Sequence, residues 1–164
     1  MKELTQVRDA VLAALQTEGL EALAAFPAGR ARQYGGPVAT VSVGAAEGRM
    51  LGLCSYLGEI YDEAAGVVKE LYGKQLEAVI FVDVRGARAA DCESGCETAA
   101  EVLLGRLPAG IRPGEVRWEA LAWEKETGMF LRRGQLRCQA VFAAKGGEEG
   151  TAFLDFVLKG VLKT

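Results

Sequence analysis

Leu4, Val7, Val11, Leu12, Ala14 and Leu15 recur at three- and four-residue intervals, with Lys2, Glu3, Arg8, Asp9 and Gln16 on the opposite side. That period predicts an amphipathic helix over about 3–18, with Thr5 as a candidate cap and Gly19 as its stop. "LEALAAFP" reads as a short extended segment ended by Pro27, and "AGRARQYGGP" as a polar loop. From Val38 to Val43 the β-branched alternation predicts a strand. Residues 49–66, "RMLGLCSYLGEIYDEAAG", are broken by Gly52, Gly58 and Gly66 and read as an irregular or bent extended arm.

In "VVKELYGKQLEAVIFVDVRG" two β-rich runs flank "YGKQ". Leu76, Ala78, Ile80, Val82 and Val84 fall on one face, with Val79 and Phe81 on the other. Such a strand is expected to be buried on much of both faces and central in its sheet. The next segment predicts a second helix, with Cys96, Ala99, Ala100, Leu103, Leu104 and Leu107 as its apolar stripe and Glu93, Glu97 and Glu101 opposite. Asp91 is the expected N-cap, and Pro108 and Gly110 end the helix. Two strand-like runs around "KETG" follow. The order of elements predicts an α+β fold: a mostly antiparallel sheet of about four to six strands with two main helices packed on one face. The expected organisation is a single domain over 1–146, then a polar linker and a short amphipathic C-terminal tail over 147–164.

Composition narrows the function. At 164 residues the chain can bury one sizeable core without a disulfide or metal staple. Half the residues are hydrophobic, a quarter are charged, and the formal net charge is -3. The densest basic groups, Arg30/Arg32 and Arg132/Arg133/Arg137, are small and lie among acidic neighbours, so no nucleic-acid partner is expected. No segment has the apolar core of a signal peptide or the length of a membrane span, which leads to the expectation of a cytoplasmic protein with no membrane partner and reduced cysteines.

Histidine is absent, which removes the commonest general base near neutral pH and the commonest zinc ligand. "DCESGCETAA" places Cys92 and Cys96 one helical turn apart, but zinc would require Cys54 and Cys138 to converge on them. Glu93 and Glu97 oppose thiolate formation at Cys92. No glycine pattern cradles a phosphate, and Glu59, Asp62 and Glu63 lack a calcium-loop spacing. No metal, cofactor or catalytic residue is therefore expected. Association fits better: Met50, Leu53, Tyr56, Leu57, Ile60 and Tyr61 load the arm with apolar groups, and Phe153 and Phe156 do the same for the tail.

The string "SYLGEIYDEAAGVVKELYGKQLEAVIFVDVRG", followed by a capped helix and a tryptophan- and phenylalanine-bearing hairpin, resembles small tail-completion proteins of tailed bacteriophages, of the tail-terminator and minor-tail type. The resemblance runs over roughly 4–144 in element order, and its local similarity lies in "YLG" and "YGK". It implies a non-enzymatic virion or prophage component, an α+β subunit that assembles into a ring, often hexameric, at the tail-tube end or head–tail junction. The arm and the tail would then be ring-interface elements, and the partners would be further copies and other tail or head-completion proteins. The competing reading is a small cytoplasmic ligand-binding protein or enzyme using a cysteine or carboxylate site.

Overall fold

A computed structural model describes residues 2–27, 34–146 and 156–160. Helix α1 (Lys2–Thr17) is followed by β1 (Glu21–Leu23), β2 (Val38–Asp62), β3 (Val67–Gly86), α2 (Ala89–Gly105), β4 (Ile111–Trp118), β5 (Ala122–Glu124), β6 (Met129–Gly146) and β7 (Val157–Leu158). The strands form one sheet in the order β1-β2-β3-β6-β4, and both β5 and β7 also pair with β6.

The fold is α+β with two helices, as the periodicities predict. The sheet is larger than the expected four to six strands, with seven among the described residues. It is also mixed: β1 runs parallel to β2, with Ala22 opposite Ala39, while the other pairs are antiparallel. The additional strands, β1, β5 and β7, are two or three residues long, too short for an alternation to register in sequence.

The two runs around "YGKQ" form a single unbroken strand, β3, because hydrogen bonding to β2 and β6 continues through Tyr72, Gly73, Lys74 and Gln75. Glycine weakens a strand interior, but here pairing on both sides carries the strand through Gly73. β3 is central, as expected, yet only one of its faces is sealed. Leu76, Ile80, Val82 and Val84 are buried beneath the helices, whereas Phe81, on the opposite face, is 39% exposed.

The helices share the covered face and one continuous core with it. Val7, Val11 and Leu15 of α1 and Ala99, Val102 and Leu103 of α2 belong to one buried cluster with Val41, Leu76, Ile80, Leu136, Ala140 and Phe142 of the sheet. Burying each large side chain of this set contributes about 1.5–3 kcal/mol. The buried stripe of α2 runs through Cys92, Gly95, Cys96, Ala99, Val102 and Leu103, and Leu104 points outward at 56% exposure. The expected stripe is therefore rotated by a fraction of a turn, because α2 sits over β3 through Gly95, where a Cβ would collide with Pro37 and Val84.

The caps also differ from expectation. α2 begins at Ala89, since two alanines carry the helix further back than the acid, and the residue at its N-cap is Arg88, which makes no capping hydrogen bond. Asp91 lies in the first turn and accepts two hydrogen bonds from the Arg88 guanidinium, at 3.0 and 3.1 Å. Thr5 is not a cap but an exposed residue inside α1.

The far end of the chain also joins the sheet. β7 pairs with β6 through Phe142 opposite Leu158 and Ala143 opposite Val157. Leu158 is 1% exposed and Phe156 packs against the same core as the rest of the domain.

Candidate functional site

Along β3 the supporting elements end one after another. β4 reaches only the row of Ile111, Ala140 and Leu76. α1 reaches the next rows through Glu3, which pairs with the Lys74 ammonium at 3.0 Å. β7 stops beside Phe142 and Ala143, and β6 ends opposite Glu70. Beyond Glu70, among the described residues, β2 and β3 continue as a two-stranded hairpin closed by a turn over 63–66. From Glu70 to that turn the two-stranded part spans roughly 13 Å, and the arm surface continues back to Tyr72, where β6 still flanks β3. The arm expected to be irregular is thus a projecting β-hairpin. Its irregularity is confined to β2, whose register against β3 shifts between Val43 and Ala46, Leu51 and Tyr56, and Tyr56 and Gly58. Bulges of this kind twist an edge and keep it from pairing indiscriminately.

The arm carries apolar groups that stay exposed among the described residues. Tyr61 is 63% exposed, Val68 50% and Leu57 47%, against 57% for Trp123 at the opposite end of the sheet. Tyr61 lies directly opposite Val68, and Tyr56 opposite Tyr72, so each pair shares a face of the hairpin. The Tyr56 and Tyr72 rings meet edge to face with centroids 5.6 Å apart. The Tyr72 hydroxyl donates to Glu70 at 2.5 Å. That bond, helped by loss of hydration and the Glu70 charge, raises the Tyr72 phenol above its ordinary pKa. Partial desolvation, with the Glu59 and Glu70 charges, moves Tyr56 the same way. Both phenols therefore stay protonated as donors at neutral pH. A two-stranded ribbon with this load is marginal in water by itself and gains most by burying a face against something else.

The expected interface residues divide into three groups. Tyr56, Leu57, Ile60 and Tyr61 sit together on the arm, with Leu57 lying over Gly73. Met50 and Leu53 are within β2, but their side chains lie outside the described residues, as does Phe153. Phe156 is engaged inside the subunit. It packs against the core, its carbonyl accepts from the Gln6 side chain at 2.7 Å, and its ring lies 5.6 Å below the Lys74 ammonium. Val68 and Tyr72 are members of the arm surface that the sequence reading missed. The signal for them was pairing across the turn at "EAAG", which places "VVKELY" against "YLGEIYD" once both runs are taken as one hairpin.

The features that first suggest chemistry are used for packing. Cys92, Cys96 and Cys138 are free thiols and all three are buried. Cys92 donates to the Val84 carbonyl at 3.3 Å. Burial, with its neighbour's charge adding to it, pushes the Cys96 thiol up to about 12, and burial pushes Cys138 to about 11. Cys92 is raised as well, again chiefly by burial. Such thiols are poor nucleophiles and poor metal ligands. No group of three or more Cys, Asp or Glu side chains among the described residues is arranged to hold a metal ion.

On the open face, bulges in β2 and β4 fall on the same row, Ala46–Ala78–Cys138–Pro113, and leave a groove of about 520 Å³. Glu47, Glu77, Val79, Arg112, Arg137 and Gln139 line it. The lining holds two arginines and two glutamates, one of which accepts from Gln139 at 3.4 Å, so the charges balance, and the Cys138 thiol, also in the lining, is buried with its pKa pushed up to about 11 and has no base paired with it among the lining residues. No helix among the described residues is long and apolar enough to cross a membrane. The chain matches no protein-family model, and no curated protein is significantly similar to it.

Proposed function

We propose that this chain is a non-enzymatic structural subunit that self-assembles through its β2–β3 arm, and that it acts as a ring-forming component of a phage or prophage tail, at the tail-tube end or head–tail junction. The observation that carries the assembly reading is the two-stranded tip, with Tyr61 and Val68 exposed beyond the end of β6, together with Tyr56 and Leu57 exposed on the rows just before it. Among the described residues nothing covers these groups, and repetition of one contact around a closed ring would cover them on every copy. Burial of the three described thiols, and a charge-balanced groove without a nucleophile–base pair, favour this reading over the enzymatic one. The phage assignment rests on the resemblance of the "YLG" and "YGK" region and on an element order that the fold accommodates.

Light scattering and negative-stain microscopy of the concentrated native protein test the assembly. Closed rings are expected from the full chain, and only monomers when 58–69 is replaced by a two-residue Asn-Gly turn. Ring formation by the shortened variant would sink the arm reading. Genes for tail-tube and tape-measure proteins beside this one are the expected context, and an operon of metabolic enzymes would overturn the phage assignment.

A further inference from the structure

We propose that β7 is an exchangeable strand: in the assembled protein it leaves its own sheet and fills the identical seat on a neighbouring copy. This inference rests on the assembly reading above, but it concerns a different surface from the arm.

The seat is built by groups distant in sequence from β7. The Gln6 side chain of α1 holds both sides of the strand, donating to the Phe156 carbonyl at 2.7 Å and accepting from the Leu158 amide at 2.8 Å. The Lys159 amide donates to Val141 at 2.9 Å, and its carbonyl accepts from Gly110 at 2.8 Å. Gly110 is there because the strand passes so close that a Cβ would collide with the Lys159 backbone. Leu158 fills the socket at 1% exposure. The complementarity of this seat to this strand is therefore already displayed, and a second copy presents the same one. That is the condition under which an element swaps between protomers at little cost.

Two further features make exchange reachable. β7 is a two-residue strand joined to β6 through two residue pairs, so few strand pairs are remade when it moves, and the core socket that Leu158 vacates is refilled by the incoming copy. The chain between Gly146 and Val157 can extend to about 36 Å at 3.3 Å per residue, whereas Val157 in its own seat lies beside Ala143, only three residues back along β6. For an isolated monomer the tethered strand sees its own seat at an effective concentration of millimolar order, and the cis arrangement prevails. Within a ring, a neighbour's seat inside that reach is presented at a comparable effective concentration, and exchange ties adjacent subunits together.

The test uses full-length chain carrying a photo-crosslinking residue in place of Val157, with natural isotopes, mixed in equal amount with heavy-isotope chain before assembly. Conjugates to the peptides bearing Gln6, Val141 or Ala143 are then scored as light–light or light–heavy. About half light–heavy conjugates in the assembled fraction, and light–light alone in the monomer fraction, is the expected result. An assembled fraction that yields only light–light conjugates overturns the exchange while leaving the arm reading standing. If no assembled fraction forms at any concentration, both fall together. As a control on the seat, Gly110→Val in the light chain leaves its own seat blocked and raises the light–heavy share, and an unchanged share would also count against the exchange.

Discussion

Tyr61→Ser separates an assembly role for the arm from a structural one. Tyr61 is 63% exposed and pairs across the hairpin with Val68, which is itself half exposed. An enclosed tyrosine buries about 150–250 Å², so roughly 100 Å² of this ring remains for a partner to cover. At about 25 cal/mol per Å² the substitution removes up to about 2.5 kcal/mol from each contact that covers it. That is a loss of about 70-fold in the affinity of one subunit for the next. The same change touches no core residue, and surface substitutions of this type stay within about 0.5 kcal/mol of neutral for the fold. Sedimentation velocity across a concentration series measures the first quantity, and thermal unfolding of the dilute monomer measures the second. Weakened association with an unchanged melting temperature is expected. Unchanged association, or a monomer destabilised by more than about 1 kcal/mol, refutes the reasoning.

Arg85 and Glu124 form a bidentate pair at 2.8 and 3.2 Å, with side chains 11% and 16% exposed, and the guanidinium also lies 4.7 Å from the Phe26 ring. Glu124→Ala strands a buried cation, and about 3–5 kcal/mol is the expected cost, read as a fall of roughly 10 °C in Tm for a chain of this size; a loss under 1 kcal/mol in chemical denaturation would contradict it. The Arg85 hydrogen bonds hold the Glu124 carboxyl below its ordinary range, despite burial acting the other way. Its stabilisation is therefore complete above about pH 4.3, the unfolded value, and is lost as pH falls through the lowered folded value. Melting curves from pH 7 to 3 are expected to show an acid loss that is smaller in Glu124→Gln; equal losses would remove this pair as a cause. Cys92, Cys96 and Cys138, all with raised pKa values, are expected to resist a thiol reagent at pH 7.5 until the protein unfolds. Peptide mapping that finds any of the three labelled within minutes in the native state would reopen the cysteine-based alternative.

How far the fold was legible depended on whether an element carried its own periodicity. α1, the start of β2 at Val38 and the covered face of β3 follow from spacing alone, and α1 lies within a residue of its expected bounds, whereas the "GAAEG" read as a turn after Val43 is strand, because β2 runs on to Asp62. β1 lies inside the segment read as extended and β5 inside the strand-like run before "KETG", without being separated as strands of their own, while β7 escaped because its partner, not its residues, makes it a strand. Phe81 was read as buried because an apolar residue on the second face of a strand looks the same whether or not a layer covers it. The arm was recognisable as an apolar segment with no place in the core. Its regularity was hidden by glycines that the β3 partner tolerates, and by extra β2 residues absorbed at the register shifts. Asp91 failed as a cap because Arg88, three residues earlier, competes for its carboxylate.

The stepwise ending of the elements along β3 also orders the molecule in time. The pairs nearest the core, Gly86 with Phe130 and Val38 with Arg85, join segments far apart in sequence, while Asp62 with Val67 closes a local turn. The easiest pair to form thus sits where almost nothing retains it, and the costliest where helices and four strands bury it. Amide exchange in the monomer should therefore be graded, fast by fraying at the hairpin tip and slowing row by row toward Ile80, which opens only with the whole domain. Assembly would flatten that gradient from its outer end, so the tip amides become a clock for the arrival of the next subunit.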